Sequence, residues 1–501
     1  MFGFLGASAQ NAAYLVRDLK AGGVIYFARN VGSVAETSAL SAALQEMAME
    51  SGGLPLFISA DQEGGLVSRL TLGLPAMPGP MAVGATCDVS LAEKVSRAIG
   101  TQLRAAGVNV NLAPVLDVND NPRNPVIGVR SFGEDPSAVS AFGRAAVKGY
   151  LSSGIFPVGK HFPGHGNTSV DSHLDLPALS QSMDRLEQVE LAPFKAAIAE
   201  GLPAIMTAHI IFKALDPTNP ATMSRSVLHG LLREKMGFRG LIMTDCMEMQ
   251  AVARNPGVVR ASIEAFRAGA DLLLVSHTRS LQEEACRALL ESVKSGDIPM
   301  ERLDESVERI LASKEAMGLP NPLDPASACT EELERLSEEA HARSVTIVRS
   351  RQECFPIDRT ASVEVNVVAA VVEPKAPAGV VSSGAGSSAA AALSKALRKR
   401  GIPVRDAPAA EFLSGVHTGP TVIVTQNAWK DASQASLAAK LLEVAPHAAV
   451  VAVRDPYDAS ALPSAQTVIC SYSPRPEAMK AAAAVLSGDH KATGRLPVRV
   501  D

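Results

Sequence analysis

Fourteen residues, KHFPGHGNTSVDSH (Lys160–His173), hold three histidines, a lysine and an aspartate. Asp171 and His173 stand two apart at its end. On extended backbone their side chains would project to the same side, letting the carboxylate orient the imidazole and favour its protonated form. An imidazole, with an unperturbed pKa of about 6.5, gives and retakes a proton near neutrality without the burial a carboxylic acid needs. The stretch LIMTDCMEM adds Asp245, a lone carboxylate directly after an apolar run. Taken alone, Asp245 reads as an N-cap for the following CMEMQAV, and Asp171-x-His173 as an exposed loop pair. Together they supply what glycoside cleavage requires, a nucleophile on one face of the sugar and a proton donor on the other.

Further polar residues suit a hydroxylated substrate. Lys160, His161, Arg130 and Arg69 offer cations or donors to carbonyl, carboxylate and hydroxyl oxygens, and Asp61 accepts from hydroxyls. The alternative for Arg130 and Asp61 is a structural salt bridge across neighbouring loops. Glu63, Asp117 and His209 occupy similar places in ISADQEGG, PVLDVNDNP and MTAHI. Asp135 in GEDPS reads as a helix cap with Pro136 at the first helical position. His161 and His165 are four apart, a metal-binding spacing on a helix, but Pro163 and Gly164 between them oppose a helix. No metal and no cofactor are expected.

Eight apolar runs alternate with helical patterns: MFGFLG, GGVIYF, PLFISAD, NVNLAPVLDV, FPVGKHF, PAIMTAHI, GLIMTD and ADLLLVS. Such strand–helix repetition predicts a (β/α)8 TIM barrel over residues 1–318. Active sites of such barrels are built where strands end and βα loops begin, and the residues named above fall at those places. The Pro-rich LPNPLDPASACT (319–330) predicts a linker. Residues 331–501 predict a smaller α/β sandwich domain: a helix EELERLSEEAHARSVTIV, then strands in VEVNVVAAVV, TVIVTQ, AAVVAVRD and QTVICSY. VVSSGAGSSAAAALSKALRKRG lacks GxGxxG and a Lys-Ser/Thr ending, so it reads as a loop entering a helix and not as a phosphate loop.

The 501 residues carry a net charge of −5 with no Lys/Arg block, which argues against nucleic acid and anionic membrane as partners. A small-molecule or oligosaccharide substrate is expected. The six cysteines follow no regular spacing, so reduced thiols are expected. No run is long enough to span a membrane. MFGFLGASAQ has no basic residue before Arg17 and only a short apolar run, so it reads as a barrel strand and the cytoplasm is the expected compartment.

DQEGGLVSR, IGVRSFGEDP, KHFPGHGNTSVDSH and GFRGLIMTDCMEM, in this order, resemble the family 3 glycoside hydrolases, specifically the bacterial β-N-acetylglucosaminidases that recycle cell-wall fragments. The resemblance implies a retaining exo-glycosidase that removes terminal β-linked N-acetylglucosamine from muropeptide or chitin-type fragments. It makes Asp245 the nucleophile, His173 the acid/base and Asp171 its partner. It makes Asp61, Arg69, Arg130, Lys160, His161 and His209 the sugar-binding residues. Two features depart from the family pattern: Cys246 stands where many relatives have a second acidic residue, and the chain continues past the barrel to GRLPVRV, similar to the closing strand of two-domain members. The second domain is expected to be structural or to shape the cleft. Three other readings stay open: a β-N-acetylglucosaminide phosphorylase, a metal-dependent hydrolase and a non-catalytic sugar-binding protein.

Overall fold

A computed structural model describes residues 1–318, 322–350, 356–357, 364–370, 385–415, 417 and 419–500. The start of the expected linker, Cys354 and the glycine-rich loop before the helix Ala385–Arg398 lie outside the described residues.

Eight strands form one parallel sheet in sequence order: β1 (Phe2–Gly3), β2 (Gly23–Tyr26), β3 (Phe57–Ala60), β4 (Val110–Asn111), β5 (Phe156–Phe162), β6 (Ala204–Thr207), β7 (Leu241–Cys246) and β8 (Leu272–Leu274). A parallel bridge from Phe2 to Val275 closes the circle. Arg29 and Gln282 reinforce this seam, Arg29 donating to the carbonyls of Phe4 and Ser276, Gln282 to those of Gly3 and Val275. The expected barrel is therefore present.

The strands are apolar on both faces because each faces two cores. Ile25, Phe57, Val158, Met206, Leu241 and Met243 fill the barrel interior. The alternating Val24, Tyr26, Ile58, Ile205 and Ile242 pack against the surrounding helices. Helix Pro136–Ser152 starts as expected, with Asp135 capping the N–H groups of Ser137 and Ala138 and Pro136 at the first helical position.

The second unit is a six-stranded sheet: β9 (Thr346–Ser350), β10 (Val365–Ala369), β11 (Val404–Asp406), β12 (Thr421–Thr425), β13 (Ala449–Ala452) and β14 (Thr467–Cys470), in the order β9-β14-β13-β12-β10-β11. All pairings are parallel except β9 with β14. Helices cover both faces, and the apolar residues divide between two clusters. The expected long helix EELERLSEEAHARSVTIV is corrected here: it ends at Ser344, and the β-branched Thr346, Ile347 and Val348 join the sheet edge instead. GRLPVRV is likewise not a sheet strand. It returns to the barrel, where Arg495 N–H donates to Ala85 and Glu134 N–H to Pro497.

Buried between the two units is one apolar cluster that includes Met81, Val129, Tyr457, Tyr472 and Val498, with Trp429 packed on its edge. Among the described residues no helix is long and apolar enough to cross a membrane.

Candidate active site

Asp61 follows β3 directly, and a short hairpin of Gln62–Gly64 with Val67–Ser68 brings Arg69 back beside it. Gly64 and Gly65 both take positive φ, and a Cβ on Gly64 would lie 2.4 Å from the Pro78 carbonyl, so the turn needs glycine there. Arg69 Nη2 then donates to Asp61 Oδ2 at 3.2 Å. Lys160, on β5 and only 2% exposed, donates to Asp61 Oδ1 at 2.8 Å and stands 2.7 Å from Glu63 Oε1. Arg130 grips Glu63 with both arms, Nε to Oε2 at 3.0 Å and Nη2 to Oε1 at 2.8 Å. The salt bridging considered for Arg130 and Asp61 from the sequence is thus present, Arg130 with Glu63 and Asp61 with Lys160 and Arg69. Burial works against the charges of Asp61 and Glu63, but their cations outweigh it and hold both carboxyls well below the usual range. Two carboxylates against three cations leave this wall of the mouth net positive.

His161 donates from Nδ1 to Asp117 Oδ2 at 2.7 Å, which turns Nε2 toward Arg130 Nη2 at 3.5 Å. Asp117 is fully buried and also accepts the backbone N–H groups of His161 and His165. Burial opposes its ionisation, yet the His161 imidazole and the other donors keep its pKa low.

The loop after β5 is fixed at its base. Asn124 donates to the carbonyls of His165 and Gly166, and Asn121 to those of Asn167 and Thr168. His165 is not free for a metal: its Nδ1 meets Thr168 Oγ1 and its Nε2 meets Ser172 Oγ, both at 2.9 Å. Burial drives its pKa down to about 4, so this ring is neutral at ordinary pH.

Asp171 and His173 do meet, but not on the extended backbone envisaged from the sequence. Residues 172–174 form a turn, and Asp171 Oδ1 accepts both the His173 backbone N–H at 2.9 Å and Nδ1 at 2.8 Å. That hydrogen bond raises the His173 pKa, and the negative Asp245 adds to the effect despite partial burial. Half of the His173 side chain remains exposed at the mouth.

Asp245 is the next-to-last residue of strand β7 and caps no helix; the next helix, Gln250–Ala253, has Met249 at its N-cap. Its Oδ1 accepts the Cys246 N–H at 2.7 Å. Burial opposes its charge, but the His161, His209 and His173 imidazoles around it outweigh that cost and lower its pKa. His209 has both nitrogens engaged within the protein, Nδ1 with Thr222 Oγ1 at 2.8 Å and Nε2 donating to the Cys246 carbonyl at 3.1 Å. It braces the end of the strand that carries Asp245.

The fold therefore gathers Asp61, Arg69, Arg130, Lys160, His161, His173, Asp171 and Asp245 around one barrel mouth, with His209 just behind. Glu63 and Asp117 stand out in the sequence as polar residues at strand ends, but their roles, Glu63 holding Arg130 and Lys160 and Asp117 holding His161, become visible only in the fold.

Comparison with known proteins identifies the family. Residues 3–313 match the glycosyl hydrolase family 3 N-terminal domain. The chain is 39% identical over 323 residues to β-hexosaminidase A of Pseudoalteromonas piscicida, a match covering 60% of this chain and 54%, or about half, of that relative. It is 36% identical to a β-hexosaminidase of Nitrosomonas eutropha over 54% of this chain and 77% of the relative. The solved family 3 β-N-acetylglucosaminidase of Paenibacillus sp. str. FPU-7 is 40% identical and superposes with a TM-score of 0.91, covering 100% of this chain and 97% of that one. With residues 3–313, more than half of the chain, matching the family's N-terminal domain, this chain belongs to glycosyl hydrolase family 3.

Proposed function

We propose that the chain is a retaining exo-β-N-acetylglucosaminidase that removes terminal β-linked N-acetylglucosamine from cell-wall or chitin-type fragments. The observation that carries the reading is the placement of the Asp245 carboxylate at the end of β7 in the barrel mouth that also receives the loop bearing His173, whose Nδ1 is hydrogen-bonded to Asp171 at 2.8 Å. The surroundings favour the charged form of each, lowering the pKa of Asp245 and raising that of His173, which is the direction a nucleophile and a proton donor need before the first step. The names of the relatives, β-hexosaminidase and β-N-acetylglucosaminidase, support the choice of sugar.

In the first step an Asp245 oxygen attacks the anomeric carbon while His173 transfers its proton to the departing glycosidic oxygen. The C–O bond to the aglycone breaks, and a glycosyl ester with Asp245 forms. In the second step neutral His173 takes a proton from water, the hydroxyl attacks the anomeric carbon, and Asp245 leaves as carboxylate. Asp171 keeps the His173 ring oriented and favours the imidazolium. Asp61, Arg69, Arg130, Lys160 and His161 bind the hydroxyls and the acetamido group, prearranged by their own ion pairs.

The test is release of nitrophenol from 4-nitrophenyl N-acetyl-β-D-glucosaminide by the wild type, Asp245→Ala and His173→Ala, with and without phosphate and EDTA. The expected result is wild-type turnover indifferent to EDTA, abolished in Asp245→Ala and lowered in His173→Ala by about 10² or more, the usual size of a general acid/base contribution. NMR should show the β-anomer as the first sugar product. Turnover that survives in Asp245→Ala would overturn the reading, and a sugar phosphate as main product would replace hydrolysis by phosphorolysis.

A further inference from the structure

We propose that the second α/β unit sets the position of Arg130 through Asp455 and Tyr457, making both of them positioning residues for the sugar site. This rests on the reading of Arg130 as a substrate-binding residue. Arg130 ends the 3₁₀ turn Gly128–Arg130, which has no side-chain cap from its own N-cap residue Ile127. The first two N–H groups of that turn find acceptors elsewhere. Val129 N–H donates directly to Asp455 Oδ1 at 3.0 Å, across the boundary between the two units. Gly128 N–H donates to Asn119 Oδ1 at 3.1 Å, and Asn119 is itself held by Nδ2 donating to the Tyr457 hydroxyl at 2.9 Å.

The fit is close. Gly128 has φ +45°, and a Cβ there would stand 2.4 Å from Asp455 Oδ1, so the carboxylate rests against bare backbone. Asp455 is 1% exposed. A carboxylate so buried is tolerated only where donors surround it. Its other oxygen accepts from the Asn427 amide at 2.7 Å in the amide orientation that satisfies both polar atoms of Asn427, with Arg454 on the far side. Asp455 and Tyr457 both stand on the loop after β13, so one loop of the second unit fixes both donors of the turn. A contact needed only to glue two units together could be apolar, like the Met81 and Tyr472 cluster beside it. A buried charge aimed at the backbone two atoms from a binding residue fits a positioning role.

The experiment is a double-mutant cycle on the full chain, measuring kcat and KM for 4-nitrophenyl N-acetyl-β-D-glucosaminide in Asp455→Ala, Arg130→Ala and the double variant, with Asp455→Asn as the conservative control. Loss of a hydrogen bond to a charged acceptor is expected to lower kcat/KM about tenfold in Asp455→Ala, chiefly through KM. Asp455→Asn, which keeps an acceptor for Val129 N–H, should recover most of the loss. In the Arg130→Ala background, Asp455→Ala should change kcat/KM by no more than about twofold, because coupled residues are not additive. Additive losses, an unaffected Asp455→Ala, or an Asn variant as poor as Ala would overturn the inference. If Asp455→Ala does not fold, Tyr457→Phe enters the same cycle with the same criteria. Arg130→Ala with undiminished turnover would instead overturn the reading of Arg130 and this inference with it. A crippled Arg130→Ala beside a normal Asp455→Ala would overturn only the inference.

Discussion

His173 and Asp245 are perturbed in opposite directions by their surroundings, and this sets a pH profile. His173 must carry its proton for the first step, and its folded pKa is raised above 6.5, first by the hydrogen bond to Asp171. Activity is therefore full below that pKa and declines as pH rises through it. Asp245 must be ionised, and its pKa is lowered below 3.8, so the acid limb lies beneath the range where free carboxylates titrate. Asp171→Asn removes the carboxylate that favours the imidazolium while its amide oxygen still accepts from Nδ1. In that variant the alkaline limb of kcat/KM should move to lower pH while the acid limb stays in place. A pH–rate profile of wild type and variant checks this; an unmoved alkaline limb would remove His173 from the role of acid. His165, eight residues upstream and neutral with a pKa of about 4, should contribute to neither limb.

At the scale of elements, the loop after β5 matters because it carries the proton donor, and it is located by backbone crowding at its base. A Cβ on Gly166 would stand 1.7 Å from the Val118 carbonyl, a rigid neighbour. Gly166→Ala must push the loop away and break the Asn124 hydrogen bonds to His165 and Gly166. Overpacking of this kind costs about 1–3 kcal/mol, and the expected result is a lower Tm together with a fall in kcat larger than any rise in KM, since the displaced group is the acid. Melting curves and steady-state kinetics on the one variant separate the two effects. The elements themselves were legible in the sequence where a strong pattern acts locally: eight doubly buried strands, the Asp135–Pro136 helix start and the polar residues at strand ends. Less legible was what depends on a distant neighbour. The helix expected through Val348 stops at Ser344 because an edge of the sheet receives Thr346–Ser350, and GRLPVRV leaves the sheet because barrel loops capture it. In the same way Asp171 and His173 were paired correctly but through a turn, which the sequence spacing does not distinguish from extended backbone.

On the scale of the whole molecule, the barrel and the second unit share a buried apolar cluster and several hydrogen bonds, so neither surface is complete without the other. Tyr472 is 1% exposed in that cluster, and its hydroxyl donates to Thr346 Oγ1 at 2.8 Å. The single tryptophan of the chain, Trp429, packs on the same cluster, edge-on to Tyr457 with ring centroids 5.6 Å apart. Its fluorescence thus reports the interface directly, whereas far-UV circular dichroism averages over both units. With the interface intact the two signals should change together in urea, as one cooperative transition. Tyr472→Ala leaves a cavity where the units meet, at a cost of about 3–5 kcal/mol for a large aromatic side chain. Because the cavity opens where the units meet, the Trp429 transition should move to lower urea and separate from the dichroism transition. Coincident curves in the variant would show that the second unit holds to the barrel through its hydrogen bonds alone, with the apolar cluster contributing little to their coupling.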